Sequence, residues 1–235
     1  MEGNALLREE LSQQERMAVA GQLTAAFAHE VGTPLNLVNS HLQLLQGQSD
    51  IGDKTRERLG VIHAQIERVG DIVRRMMDLT RRRGIQQEAV ALGPLVADLQ
   101  RLWSPTLAIH NIVFDWVAPD PCVLFVDRKQ MEQLFINLVN NSVDAMPDGG
   151  RLHLSAEPDP AGSRWLIRLA DTGTGIPQEI LSMVFRPMFT TKPEGQGTGL
   201  GLAICREIVR NHGGEIHIES EEGRGTTMSF SLPGI

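Results

Sequence analysis

The chain contains no tyrosine, and only 4% of its 235 residues are aromatic. It has two cysteines, Cys122 and Cys205, which form neither a disulfide framework nor a metal-type spacing. That pattern points to a reducing compartment, the cytoplasm. No apolar run is long enough to cross a bilayer and no signal-peptide pattern is present, so this segment is expected to make no membrane contact. Positive charge is scarce as well. With 22 Lys and Arg against 29 Asp and Glu, the formal net charge is −7, which gives a nucleic-acid partner no electrostatic support. The one basic run, Arg81-Arg82-Arg83, reads as a solvated helix end. What remains is an ordinary globular composition, 41% hydrophobic and 22% charged, long enough for one large domain or two small ones.

The pattern changes near residue 85. Residues 5 to 83 read as helix almost throughout. Phe27, Val31, Leu35, Val38, Leu42 and Leu45 step by 4, 4, 3, 4 and 3, and Leu59, Ile62, Ile66, Val69, Val73 and Met76 by 3, 4, 3, 4 and 3. This heptad spacing lays a narrow apolar seam on each helix. A polar loop, Gly47 to Asp53, separates them, so the first unit, residues 1–84, is an αα-hairpin. One hairpin covers its seams poorly. Two hairpins in a four-helix bundle cover them well, so a homodimer is expected. In residues 85–235, short β-like runs at Val113–Val117, Val123–Val126, Leu152–Ala156, Trp165–Ala170, Glu215–Ile218 and Thr227–Leu232 mix with helical stretches at Pro94–Ala108, Arg128–Met146 and Leu200–Asn211. That mixture predicts an α+β sandwich with helices on one face of a sheet. Pro187–Gly197 has little periodicity and reads as a mobile loop.

His29 lies two positions from the seam residues Phe27 and Val31. A step of two turns a side chain by about 200° around a helix, so His29 faces water and not the bundle core. On position alone it could merely decorate the surface. Its neighbours favour chemistry. Glu30 is adjacent, Thr33 stands one turn on along the same face, and Pro34 removes a helical donor and kinks the helix. A neutral imidazole attacks phosphorus well once a carboxylate holds its other N–H, and Glu30 could be that carboxylate. A zinc-protease reading of this string fails, because Thr33 stands where that pattern needs a second histidine.

Three later segments carry nucleotide-like features. Asp127 and Gln130 make a capping-box-like start to a helix on which Asn137 and Asn141 share a face. Such amides can bind a magnesium ion and phosphates, although alone they could be solvent-facing asparagines. Asp171 ends an apolar strand and is followed by Gly173 and Gly175. A carboxylate there can accept from an adenine amino group, and glycines allow close backbone approach, although a plain turn would look the same. Gly195, Gly197, Gly199 and Gly201 precede a helix whose N-terminal amides would form an anion site. No P-loop is present, and the dinucleotide glycine pattern fails at its last glycine in both loops.

In order and context these segments resemble the catalytic core of bacterial two-component sensor histidine kinases over nearly the whole chain. Phe27–Leu35 is similar to their H-box, Gln133–Ala145 to the N-box, Asp171–Gly175 to the G1 box, Phe185–Lys192 to the F-box and Gly197–Gly201 to the G2 box. Gly223–Leu232 resembles their closing glycine strand, and the string from Phe185 to Lys192 is close to the nitrogen-regulator branch. The resemblance implies a helical hairpin in a dimeric four-helix bundle followed by an ATP-binding sandwich of the histidine kinase, gyrase and Hsp90 type. It implies that His29 is the phosphoacceptor, Glu30 its general base, and Thr33 the residue that positions water for dephosphorylation of the partner. Asn137 and Asn141 would hold Mg²⁺, Asp171 would recognise adenine, and Gly173 and Gly175 would shape its pocket. Gly197, Gly199 and Gly201 would contact the phosphates and Lys192 the γ-phosphate, with Thr198, Leu200 and Thr226 also expected at the nucleotide. Pro187–Gly197 would be the ATP lid. The implied partner is a response regulator receiver domain, and a sensor region is expected upstream, because the chain opens almost inside a helical pattern. Gly32 departs from the family, which often carries a basic or amide residue there, and lowers helix propensity beside His29.

The tryptophans Trp103, Trp116 and Trp165 read as core, and the other histidines show no metal-like pairing. Three rivals stay open: an ATPase of the same superfamily, which would lack the His29-Glu30 hairpin; a docking module that binds ATP without turnover; and a phosphatase-biased core.

Overall fold

A computed structural model describes residues 35, 38, 40, 42, 45, 52–80, 85–159, 163–193 and 197–235. The expected catalytic residues His29, Glu30 and Thr33 lie outside the described residues. Two compact units are present, residues 1–83 and 84–235.

In the first unit Leu35, Val38, Ser40, Leu42 and Leu45 are helical, and a long helix, α1, runs over Asp53–Thr80. Gly52 ends the non-helical backbone before α1. Its carbonyl accepts from the amides of Thr55 and Arg56 at 2.9 and 3.1 Å, and Asp53 places a carboxylate at the positive end of the helix dipole. Along the heptad seam Leu59 and Ile66 are half-buried, but Ile62 and Val69 remain 47% and 39% exposed. A seam that stays open within one chain has apolar area left to cover.

The second unit is an α+β sandwich. Its elements in chain order are β1 (Glu88–Ala91), α2 (Leu92–Ile109), β2 (Ile112–Val117), β3 (Val123–Val126), α3 (Arg128–Asp144), β4 (Gly150–Pro158), β5 (Arg164–Asp171), the short α4 (Gln178–Leu181), α5 (Gly201–Asn211), β6 (Ile216–Glu221) and β7 (Gly225–Pro233). Five strands form a sheet in the order β2-β4-β5-β7-β6, with β2 and β4 parallel and the other pairs antiparallel. Period-two alternation decides its faces. Leu152, Leu154, Ile167, Leu169, Met228, Phe230 and Leu232 are buried, while the intervening Arg151, His153, Arg168 and Ser229 are not. The helices cover the apolar face: Phe135 of α3 meets Phe230 edge-on at 6.0 Å, and Trp103 of α2 meets Phe114 at 5.7 Å. A largely antiparallel sheet with one wet face is the outcome expected for such alternation.

Two ends of the helical layer are joined by His212. Its Nδ1 lies 2.8 Å from the Ile208 carbonyl and donates to it, and its Nε2 accepts from the Asp127 amide at 2.9 Å. The ring is therefore a neutral linker between the end of α5 and the cap of α3. Asp127 in turn caps α3 by accepting from the Gln130 amide at 3.2 Å.

Six of the observed strands fall on the six expected runs with ends that differ by at most three residues; β6 starts one residue later than expected, at Ile216, and runs on to Glu221. The strand not anticipated is β1, Glu88-Ala-Val-Ala91, built from residues of low strand propensity except Val90. Its partner β3 holds it, in antiparallel register from Glu88 opposite Val126 to Ala91 opposite Val123.

Candidate functional site

Asp171 closes β5, and its carboxylate is organised from three directions. Oδ1 accepts from the amides of Gly173 at 3.0 Å and Thr226 at 3.1 Å, and Oδ2 accepts from the Ser142 hydroxyl at 3.0 Å. Thr226 is brought there by the β5–β7 register, which places it opposite Asp171. Burial pushes the Asp171 carboxyl up, and the bonds from Gly173, Ser142 and Thr226 pull it back toward ionisation. Oδ1 is occupied twice, so Oδ2 keeps the free lone pair. It is an acceptor suited to an exocyclic amino group.

The two glycines that follow are fixed by the protein itself. A Cβ on Gly173 would lie 2.6 Å from the Ala145 carbonyl oxygen, and one on Gly175, at φ +69°, would lie 2.1 Å from that of Glu221. Hydrogen bonds hold the same contacts: Thr174 N–H to Ala145 O at 2.9 Å, Gly223 N–H to Thr174 O at 2.7 Å, and Ile176 N–H to Ser220 Oγ at 2.8 Å. This loop is stapled on one side to the end of α3 and on the other to the β6–β7 turn.

The other end of the site is built on α3 and the start of α5. The ideal Cβ position of Gly201, the first residue of α5, is 3.8 Å from Asn141 Nδ2 and 4.0 Å from Asn137 Cγ. Both amides therefore face a helix N-terminus with no side-chain cap, where backbone donors are in excess. Asn137 Nδ2 is buried and makes no hydrogen bond to an oxygen or nitrogen. Beside that amide lies the Cys205 thiol, pushed up to about 12 by burial and eased back by Asn137. Lys192 reaches the same place. Its Nζ is 3.5 Å from Asn141 Oδ1 and pairs with the Asp144 carboxylate.

The segment from Phe185 to Lys192 leans on the second glycine loop. Met188 has the left-handed φ of +66°, uncommon for a side chain of its size, and its amide donates to Gly199 O at 2.9 Å. Gly199, at φ +64°, has no room for a Cβ, which would lie 2.4 Å from the Met188 carbonyl carbon. A Cβ on Gly197 would lie 2.5 Å from Thr190 Oγ1 and 3.2 Å from the Lys192 stem. The Thr198 hydroxyl accepts from the Leu200 amide at 3.4 Å, and the Leu200 side chain is buried as the anchor of α5. Arg206 lies over the Phe185 ring at 5.7 Å.

The structure thus gathers Asp171, Gly173, Gly175 and Thr226 at one end of the site, and Asn137, Asn141, Lys192 and the loop Gly197–Gly201 at the other. Consecutive residues of α3 connect the two ends: Asn141 faces the glycine helix and Ser142 holds Asp171. Two contributors carry no role in the sequence reading. Ser142 had a readable signal, a hydroxyl that continues the buried stripe of Met131, Leu134 and Leu138 and so needs a buried partner. Asp144 had none, because its partner Lys192 is 48 residues away. Among the described residues no three His, Cys, Asp or Glu side chains cluster as a metal site. The donor set fits a hard cation carried with phosphates, held through amide oxygens, and the Asn137 N–H, which has only the Cys205 thiol beside it as an acceptor, fits a phosphate oxygen.

Comparison with known proteins shows the family of the chain. Residues 126–234 match the histidine kinase-, DNA gyrase B- and HSP90-like ATPase family, and residues 20–85 match the His Kinase A (phospho-acceptor) domain. Sporulation kinase C of Bacillus subtilis is 31% identical over 93% of this chain and 50% of its own length, so the chain spans about half of that curated relative. The catalytic domain of histidine kinase ThkA is 31% identical, with a TM-score of 0.57 over 63% of this chain and 95% of the other. ThkA in complex with the response regulator protein TrrA is 25% identical, with a TM-score of 0.67 over 97% of this chain and 66% of the other. The fold also matches full-length ShkA in complex with AMPPNP, at 23% identity and a TM-score of 0.79 over 91% of this chain and 46% of the other. With a phospho-acceptor helical segment ahead of an ATPase-type sandwich, the chain belongs to the two-component sensor histidine kinase family as its catalytic core.

Proposed function

We propose that this chain is an ATP-dependent protein-histidine kinase that phosphorylates His29 and passes the phosphoryl group to an aspartate of a response regulator. The observation that carries the reading is the continuity of α3. Adjacent residues touch an amino-selective carboxylate through Ser142 and a phosphate-compatible amide and glycine cluster through Asn141. Those two ends match the base and the phosphates of ATP.

Asp171 accepts from the adenine amino group, with Thr226 and Gly173 keeping its other oxygen occupied. Asn137 and Asn141 would hold Mg²⁺ through their carbonyl oxygens and phosphate through their amide N–H groups. Gly197, Thr198, Gly199, Leu200 and Gly201 bring main-chain donors to the phosphates, and Lys192 brings an ammonium to the γ-phosphate. Bound Mg-ATP supplies the phosphoryl group, and positioning and charge neutralisation are what this transfer needs from the protein. Glu30 takes the proton from one imidazole nitrogen as the other attacks the γ-phosphorus and ADP leaves, and Thr33 orients water when the phosphorylated regulator is hydrolysed. The open seam of α1 at Ile62 and Val69 supports pairing of two hairpins in a homodimer. The complex of ThkA with a response regulator protein supports a receiver-domain partner. Among the described residues no helix is long and apolar enough to cross a membrane.

Incubation of wild type and His29→Gln with γ-labelled ATP tests the proposal. Acid-labile, alkali-stable label on the wild type that vanishes in the variant is expected. Label that survives the substitution overturns the His29 assignment, and ATP binding without label overturns kinase turnover in favour of a docking or phosphatase role.

A further inference from the structure

The ion pair between Lys192 and Asp144 has no part in the function as described so far. Asn141 and Asp144 are three residues apart on α3 and so share a face, one turn from each other. Lys192 arrives from a different segment. Its stem lies where a Cβ on Gly197 would come within 3.2 Å, and its ammonium reaches both Asp144 and, at 3.5 Å, Asn141 Oδ1. The other side of the Asn141 amide is Gly201, at the start of α5. A cation is therefore held against the amide that borders the phosphate side of the site, and its counter-ion comes from the protein.

We propose that Asp144 is a positioning residue for Lys192: it holds the ammonium at Asn141 while the nucleotide is absent and releases it to the terminal phosphates of ATP when they arrive. The inference rests on the nucleotide-binding part of the function proposed above, not on transfer to His29. A polyphosphate entering beside Asn141 brings the same sign of charge as Asp144, so the two anions compete for one ammonium. The side chains of the pair are 32% and 53% exposed. A half-solvated pair is weakly held and exchanges one anion for another at small cost, which a fully buried pair would not.

The test uses calorimetric titration of the whole chain with a non-hydrolysable ATP analogue and, separately, with AMP. Asp144→Asn removes the competing anion. It is expected to bind the triphosphate about threefold more tightly, in line with the small worth of an exposed pair, with AMP binding unchanged. Asp144→Glu is expected to behave like wild type. The gain from Asp144→Asn is expected to shrink in a Lys192→Met background, since the carboxylate acts through that ammonium. Unchanged or weaker triphosphate binding in Asp144→Asn overturns the proposal, and so does an equal gain with and without Lys192, which would mean that the carboxylate acts on the phosphates by its own charge. Wild type that binds the analogue but never labels His29 fails the kinase reading alone. Wild type that does not bind the analogue fails both.

Discussion

The two glycine loops look alike in the sequence and are held in different ways. The loop after Asp171 is fixed to the fold: Gly173 lies against the main chain of Ala145, Gly175 against that of Glu221, and both contacts are locked by backbone hydrogen bonds. The loop Gly197–Gly201 is fixed to another loop: Gly197 lies against Thr190 and Lys192, and Gly199 against Met188, which is itself 64% exposed and in a left-handed conformation. One loop belongs to the core, the other to a segment with little core behind it. Glycine is required at both for want of space, but the consequence of losing it differs. A crowded side chain in the first must displace sheet and helix. In the second it needs to displace only the Met188 segment.

Substitution of Gly175 is the strongest way to sharpen that contrast. Gly175→Ala combines a left-handed conformation with a clash against a carbonyl in the β6–β7 turn. We expect it to destabilise the second unit by about 3 kcal/mol or more, read as a fall in thermal midpoint. Gly199→Ala has a similar φ and a similar clash, but its obstacle can give way. The expected result is a much smaller change in midpoint with about tenfold weaker ATP binding. Equal midpoint losses for the two variants would break the comparison.

The smallest effect concerns the carboxylate at the fixed end. Ser142→Ala deletes one hydrogen bond to Asp171, a loss of about 1 kcal/mol at neutral pH. Its pH dependence has a definite sign. The Asp171 carboxyl is already raised by burial, and loss of the Ser142 donor raises it further. A folded-state value above the unfolded one contributes stability that is full below the ordinary carboxylate range and is lost as pH rises through the folded value. The variant loses more over a wider window. Its deficit against wild type should be near zero in acid and grow as pH passes through and above the carboxylate range, as measured by urea unfolding. A deficit independent of pH would mean that Ser142 does not act on the Asp171 charge.

How much of this was legible follows from what each residue depends on. The sheet was readable because alternation at Leu152 and Leu154, or Met228 and Phe230, is a local pattern with one outcome. The strand Glu88–Ala91 was not, because it is held by register with β3 and not by its own propensity. The glycine spacing announced close backbone approach near Asp171, but not that the approaching atoms are the protein's own carbonyls. Asn137 and Asn141 were readable as a shared helical face, and their meeting with Gly201 needed the packing of α3 on α5. The pair Lys192–Asp144 depends on a tertiary contact between two distant segments, and no periodicity reports such a contact.

Both native thiols are buried in the second unit, with Cys122 pushed up to about 11 and Cys205 to about 12 by desolvation. At neutral pH neither offers an appreciable thiolate to an alkylating reagent. The protein therefore carries a silent background for spectroscopic labelling. A single cysteine introduced on the wet face of the sheet, at Ser229 for instance, would take a fluorophore or spin label alone, and a second at an exposed position of α1 such as Val61 would complete a ruler between the two units without removing either native cysteine.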